Sequence, residues 1–321
     1  MAGHTYRKGF EKALVEHLHR DGQLWGVAVD DDGVARLRPA TTAFELGSTK
    51  LPLIPPKKIL LPPREAMWHL SPDGAYREPE IQNDKTVLLG ILPCDLYALW
   101  YLDRVFAEDS SYLKRRQKLV LVGTMCQPSE QCFCPPHASP PPFDLFLAEG
   151  CVWAGSSLGQ SCLADLADHL DMSESRPLPA ELTAGKSDAA PEDLERLFLE
   201  SRHRPLWKNE AQRCLSCGAC SAVCPTCYCY DVVDSAGLDG GVTRQREWDN
   251  CFFRNHALVA GGHNFRPDRA ERLRFRFEHK YLGFGEMRGE QSCVGCGRCV
   301  SACPVDIDLS SLLNRLCGVI Q

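Results

Sequence analysis

Residues 214–229 read CLSCGACSAVCPTCYC, six cysteines in sixteen positions. Four of them, Cys214, Cys217, Cys220 and Cys224, follow the spacing C-x2-C-x2-C-x3-C, and Pro225 comes next. The spacing returns far downstream in CVGCGRCVSACP, as Cys293, Cys296, Cys299 and Cys303 followed by Pro304. No other feature constrains the fold so strongly. Three cysteines two residues apart sit on one tight loop, and the fourth, after a longer step, points away from it. Each loop must therefore find its fourth thiol elsewhere.

A [4Fe–4S] cube meets that demand. It is held by four thiolates, and in two-cluster ferredoxins the last cysteine of each run ligates the other run's cube. The proline after that cysteine fixes φ and turns the chain out of the site. The spacing therefore assigns one cube to Cys214, Cys217, Cys220 and Cys303. The other takes Cys293, Cys296, Cys299 and Cys224. Two separate C-x2-C knuckles would instead indicate a zinc-stabilised interaction module, but a third cysteine at the next x2 step is not that pattern.

The chain holds 18 cysteines in 321 residues. The first twenty residues, MAGHTYRKGFEKALVEHLHR, contain no apolar run of a signal peptide, so a reducing cytoplasm is expected, where clustered thiols are metal ligands rather than disulfides. No stretch approaches a membrane span. A net charge of -6 argues against a nucleic-acid partner.

Of the ten remaining cysteines, Cys94, Cys126, Cys132 and Cys134 form a candidate third cluster site. Cys94 follows one expected strand and Cys126 ends the next, and in a parallel sheet those positions are neighbours. CQPSEQCFC would then add Cys132 and Cys134. Ordinary loop thiols are the alternative. Cys227 and Cys229 read as extra ligands, redox thiols or small packing residues, with packing favoured because free cysteine behaves as a hydrophobe. Cys151, Cys162, Cys251 and Cys317 read as structural. His256, His263 and His279 read as packing or hydrogen-bonding groups.

Residues 6–20 predict an amphipathic helix with Phe10, Leu14 and Leu18 on one face. LWGVAVDDDGVARLRP predicts a hairpin about Asp31-Asp32-Gly33. LPLIPPKKILLPPRE is proline-rich and expected irregular. KTVLLGIL and KLVLVGTMC predict buried strands, with a helix between them carrying Leu96, Leu99, Trp100 and Phe106, and Asp95 near its N-terminus. FDLFLAEGCVWAG predicts a third strand and a hairpin. The expected fold class is α+β: an α/β domain over 1–170, a Pro/Ser/Ala/Asp-rich linker over 171–191, and a mainly helical ferredoxin-like domain with two [4Fe–4S] clusters over 192–321.

The chain lacks G-x-G-x-x-G after a strand, G-x-x-x-x-G-K-[ST], a nucleophile elbow and H-E-x-x-H. No catalytic residue is assigned. The stretch RPDRAERLRFRFEHK over 266–280 is basic with interleaved aromatics. It reads as nucleic-acid binding, as a plain solvated face, or as positive charge set beside the negative cubes.

ILPCDLYALWYLDRVF, TMCQPSEQCFC, CPTCYCYDVVD, REWDNCFF, AGGHNFRP, HKYLGFGE and CVGCGRCVSACPVDIDL together resemble the iron–sulfur β subunit of cytoplasmic sulfhydrogenases, which are NAD(P)-linked [NiFe] hydrogenases. The same stretches are similar to the corresponding iron–sulfur subunit of anaerobic sulfite reductase. The resemblance is dense over 210–310 and patchy over 85–150. It implies an electron-transfer component of a multisubunit oxidoreductase, with FAD and NAD(P) on one partner chain and the catalytic metal centre on another. Anaerobic sulfite reductase or a heterodisulfide-reductase-type assembly is the alternative complex.

Overall fold

A computed structural model describes residues 1–20, 22–40, 49–81, 84–187 and 193–318. Twelve strands run along the described residues. The first five are β1 Gly3–Tyr6, β2 Gln23–Val29, β3 Ala35–Pro39, β4 Arg64–Leu70 and β5 Tyr76–Arg77. Then come β6 Thr86–Ile91, β7 Leu119–Thr124, β8 Leu145–Ala148, β9 Cys151–Ala154 and β10 Leu170–Arg176. The last two are β11 Tyr230–Ala236 and β12 Val242–Trp248. The chain divides into two compact units. One comprises Met1–Pro56, Gln82–Asp188 and Val294–Cys296, and the other Lys57–Ile81, Ala189–Cys293 and Gly297–Gln321.

The first unit is built on an eight-stranded sheet in the order β10-β1-β9-β8-β7-β6-β2-β3. Its centre is parallel: β2 pairs with β6, β6 with β7, and β7 with β8. Parallel strands covered on both faces read as unbroken apolar runs, which is why VLLGI and LVLVG are almost wholly buried. Alternation sorts their side chains between the faces. Val87, Leu89, Val120 and Val122 join Phe10, Leu14 and Leu18 of the Phe10–His19 helix in one core, with Cys162 and Leu163 from the Ser157–Asp165 helix. Phe10 is fully buried, and truncating it to alanine would cost about 3–5 kcal/mol.

The hairpins expected at Asp31-Asp32-Gly33 and at the turn after β8 are present as β2–β3 and β8–β9. The helix between the two buried strands is Pro93–Val105, with proline in its first turn, where a missing N–H costs nothing. Leu96 and Leu99 are buried but Trp100 is exposed. The proline-rich stretch is irregular apart from one helical turn, Lys57–Leu60, and its last two residues, Arg64 and Glu65, which begin β4.

The segment 171–191 differs from the expected linker. Residues Leu170–Arg176 form β10, which pairs antiparallel with β1 at the sheet edge, and Glu181–Ala184 form a helical turn. Polar residues suit an edge strand whose outer side faces water, and that composition imitates a linker. Residues 188–191 of the segment lie outside the described residues.

The second unit is mixed α and β. It carries a four-stranded antiparallel sheet, β11-β12-β4-β5. β11 and β12 form a hairpin whose register runs from Tyr230↔Trp248 to Ala236↔Val242. Beside the sheet are the helices Leu194–Glu200, Pro205–Arg213, Arg269–Leu282 and Leu309–Leu316. The Arg269–Leu282 helix packs on Pro205–Arg213 through Trp207 and Phe277, edge to face at 5.5 Å. Phe198 stacks on Trp207 from the other side.

Candidate metal centre

The doubled sequence is a doubled local structure. In the first run Ser216 takes a left-handed φ of 52°, and Gly218, at φ 78°, opens the single helical turn Ala219–Ala222. In the second run Gly295 takes φ 62°, and Gly297, at φ 74°, opens Arg298–Ser301. Each run therefore bends twice into the region that disfavours a Cβ, and the bends wrap the chain around whatever the cysteines face. After the last cysteine of each run comes a turn with proline at its second position. The N–H of Cys227 donates to the Cys224 carbonyl at 3.4 Å, and that of Asp306 to the Cys303 carbonyl at 3.2 Å. The two helical turns pack against each other inside the second unit.

Cys214, Cys217, Cys220, Cys299 and Cys303 line one cavity together with Arg276 and Phe277. Four of the five are the crossed set that the spacing assigns, three thiols of the first run and the last thiol of the second; Cys299 is the fifth. Backbone N–H groups already point at two of the sulfurs. Ser216 N–H donates to Cys214 Sγ at 3.4 Å, and Ile307 N–H to Cys303 Sγ at 3.2 Å. Such hydrogen bonds stabilise thiolate charge and tune a cluster. The donor set fits a four-thiolate cluster.

Of the second set, Cys224, Cys293 and Cys299 lie in the second unit, while Cys296 belongs to the segment Val294–Cys296 grouped with the first. Cys224 is buried beside Thr226, with Sγ and Oγ1 3.5 Å apart. The charges of Cys224 and Cys293 both act on Lys280, and those of Cys293 and Cys299 on Tyr281.

The basic stretch is resolved by burial. Arg272, Arg276 and Lys280 lie on one side of the Arg269–Leu282 helix and all three are buried. Arg276 donates to the Ser221 hydroxyl at 2.7 Å, the Cys220 carbonyl at 2.9 Å and Cys227 Sγ at 3.2 Å. Burial works against its charge, but the thiols of Cys220, Cys227 and Cys224 outweigh it and hold the guanidinium protonated. Lys280 donates to Thr226 Oγ1 at 2.9 Å, and Cys224 and Cys227 likewise raise its pKa against burial. Lys57, reached from far upstream, is also buried. It donates to the Cys227 carbonyl at 2.8 Å and lies 4.4 Å over the Trp248 ring, and burial pushes its ammonium pKa down. Isolated buried cations are costly. Arg276, Lys280 and Lys57, buried beside the cysteine runs, are explained by a negative cofactor.

A second arrangement has no forewarning in the sequence pattern. Register places Cys229 next to Asp249, whose N–H donates to the Cys229 carbonyl at 3.0 Å. The side chains of Cys251 and His256 hydrogen-bond the Cys229 thiol, and Asp249 in turn pairs with His256 Nδ1. The Cys251 hydrogen bond pulls the Cys229 thiol down to about 3, helped by His256 and opposed by burial. The Cys229 hydrogen bond lifts His256 to about 9 against burial. Cys251 and His256 are thus more than packing groups; only the hairpin register brings them to Cys229. Cys151 and Cys162 are core residues and Cys317 ends the last helix.

A fold with two paired cysteine runs and buried cations beside them defines an iron–sulfur electron carrier. Residues 213–307 match the family model of the 4Fe-4S dicluster domain, so the chain carries two [4Fe–4S] clusters and the zinc reading is set aside. The chain belongs to the sulfhydrogenase β-subunit family: it is 34% identical over 287 residues to sulfhydrogenase 2 subunit beta of Pyrococcus furiosus, covering 82% of this chain and 83% of that protein. A shorter likeness, 26% over 125 residues, links it to the F420-dependent formate dehydrogenase subunit beta of Methanocaldococcus jannaschii, of which it spans 25%. No solved structure matches. Among the described residues, no helix is long and apolar enough to cross a membrane.

Proposed function

We propose that this chain relays electrons within a cytoplasmic complex, between a flavin- and NAD(P)-binding subunit and the catalytic subunit of a [NiFe] hydrogenase. Cys214, Cys217, Cys220 and Cys303 hold one cube, and Cys293, Cys296, Cys299 and Cys224 the other. The observation that carries this reading is the cavity shared by Cys214, Cys217, Cys220 and Cys303, with the buried Arg276 at its wall. The chain's own residues bind, orient and charge-balance the clusters, and the clusters supply one-electron chemistry. The substrate conversion itself belongs to the partner subunits.

The test is purification of the native complex under anaerobic conditions. The expected result is a brown complex, bleached by dithionite, containing a flavoprotein subunit and a nickel-bearing subunit, with at least about eight irons on this chain. A colourless zinc protein would refute it. The stretch shared with a formate dehydrogenase β subunit favours a second reading, in which the same relay serves a different catalytic chain. A co-purifying subunit without nickel would select that reading, or the sulfite-reductase or heterodisulfide-reductase type.

A further inference from the structure

Four cysteines outside the two runs gather at one end of the first unit's sheet. Cys94 sits in the first turn of the Pro93–Val105 helix, just past β6, and Cys126 lies two residues beyond β7. β6 and β7 are parallel neighbours, so both thiols lie at the carboxyl ends of adjacent strands, where open α/β sheets bind ligands. Cys94 and Cys126 pack in one buried group with Tyr97, Val294 and Cys296. Cys132 and Cys134 arrive on the loop that follows. Their side chains hydrogen-bond each other, and the charges of Cys94, Cys126 and Cys132 all act on Cys134. A cavity of about 520 Å³ opens among them, lined by Cys94, Cys126 and Cys134 with Tyr97, His137 and Lys186.

We propose that Cys94, Cys126, Cys132 and Cys134 hold a third iron–sulfur cluster. Three separate segments deliver three thiols to one cavity, Cys132 is hydrogen-bonded to the third of them, and packing needs neither the cavity nor the thiols. Four cysteine thiolates are the ordinary ligand set of both two-iron and four-iron clusters. A zinc ion would need all its ligands on one point at about 2.3 Å. Among the described residues no three such side chains close on one metal ion, and a larger cluster suits thiols spread around a cavity. Donors stand ready for sulfur charge. The Ser129 hydroxyl lies 3.3 Å from Cys132 Sγ, and Lys186 is tied to the same loop through the carbonyls of Ser129 and Cys134, both at 2.7 Å.

The loop is also fastened to the second run. Phe133 N–H donates to the Gly295 carbonyl at 2.8 Å. The Cys134 and Cys132 thiols donate to the carbonyls of Gly295 at 3.7 Å and Cys296 at 3.6 Å. A Cβ on Gly295 would meet Phe133 O at 2.3 Å and the Cys134 Cα at 2.5 Å, so only glycine allows this approach. The third cluster therefore lies, within the first unit, one peptide away from Cys296, a proposed ligand of the second cube.

Iron and acid-labile sulfide are counted on the anaerobically prepared full chain, beside the double variant Cys132→Ser/Cys134→Ser. The expectation is about ten irons for a two-iron centre or about twelve for a cube, falling to about eight in the variant while the reduced spin signals of the other two clusters persist. The count on the unmodified chain decides even if the variant misfolds. About eight irons in both proteins, with or without one zinc, overturns the third cluster and leaves the two-cluster reading standing. Fewer than eight in the unmodified chain fails the two-cluster reading itself, and overturns this proposal unless Cys132→Ser/Cys134→Ser still removes iron.

Discussion

Arg276 donates to the carbonyl of Cys220 at 2.9 Å, from a side chain buried between Ser221 and Cys227. This fixes a full positive charge behind the first cysteine run. Reduction adds a negative charge to a cluster, and a fixed cation favours the reduced form. Removing the cation in Arg276→Met should lower the potential of the cluster proposed at Cys214, Cys217, Cys220 and Cys303. A unit charge at about 5–10 Å and an effective dielectric near 20 contributes roughly 2–3 kcal/mol, on the order of 100 mV for one electron. Arg276→Lys should recover part of the shift. Potentiometric titration followed by electron paramagnetic resonance measures it, and a potential unmoved in Arg276→Met would show that solvent or other charges screen this pair.

The crossed ligand sets make a prediction that isolated runs do not. Cys303→Ser should damage the cluster of the distant run at Cys214, Cys217 and Cys220, leaving a three-iron or empty centre there. Cys224→Ser should damage the one at Cys293, Cys296 and Cys299. Metal binding is folding energy for such sites, so both variants should become protease-sensitive between Cys214 and Cys303. A density map of each variant shows which cube is lost, and loss of a run's own cube alone would defeat the crossing.

Cys229 and His256 give a pH signature. The pair shares its proton as thiolate and imidazolium: Cys229 is held down to about 3 and His256 up to about 9. An ordinary thiol, with pKa near 8.5, gains thiolate about tenfold per pH unit below that value. Cys229 is already ionised between pH 5 and 8, so its alkylation by iodoacetamide should be nearly independent of pH there. In Cys251→Ala/His256→Gln, which removes both hydrogen bonds to the thiol, the rate should instead climb with pH, by close to tenfold per unit. Peptide mapping of the modified cysteine reads both profiles. A steep profile in the unmodified protein would mean that the thiolate–imidazolium pair does not form.

What the sequence showed and hid follows from the range of each signal. Phe10, Leu14 and Leu18, or the apolar runs of β6 and β7, repeat at the period of their own element and were legible. The gathering of Cys214, Cys217, Cys220 and Cys303 at one cavity was legible because cluster spacing is itself a local code. The sheet of the second unit was hidden because β12 pairs with β4, Arg246 opposite Glu65, across a separation that leaves no local pattern. β11 is mostly exposed, so its residues do not alternate in polarity. Cys229, Cys251 and His256 meet only through the β11–β12 hairpin, and their spacing carries no code.

Ser216 and Gly295 occupy equivalent places in the two runs, both left-handed at φ 52° and 62°, and should respond oppositely to exchange. Ser216 is a non-glycine residue in a conformation that costs it about 1–2 kcal/mol. Ser216→Gly relieves that strain but gives back up to about 1 kcal/mol of unfolded-state entropy, so its net effect should be close to neutral and the clusters should be retained. Gly295→Ser adds the same strain and also drives a Cβ to 2.3 Å from the carbonyl oxygen of Phe133, where backbone rather than a flexible side chain must give way. That substitution should push the Cys132–Cys134 loop off the segment Val294–Cys296. The loss should be several kcal/mol on a scale where most single changes cost about 0.5–3 kcal/mol. Thermal unfolding and iron content of the two variants, measured side by side under anaerobic conditions, make the comparison. Equal destabilisation by both would mean that the left-handed bend alone matters, and that the loop carrying Cys132 and Cys134 does not rest on Gly295.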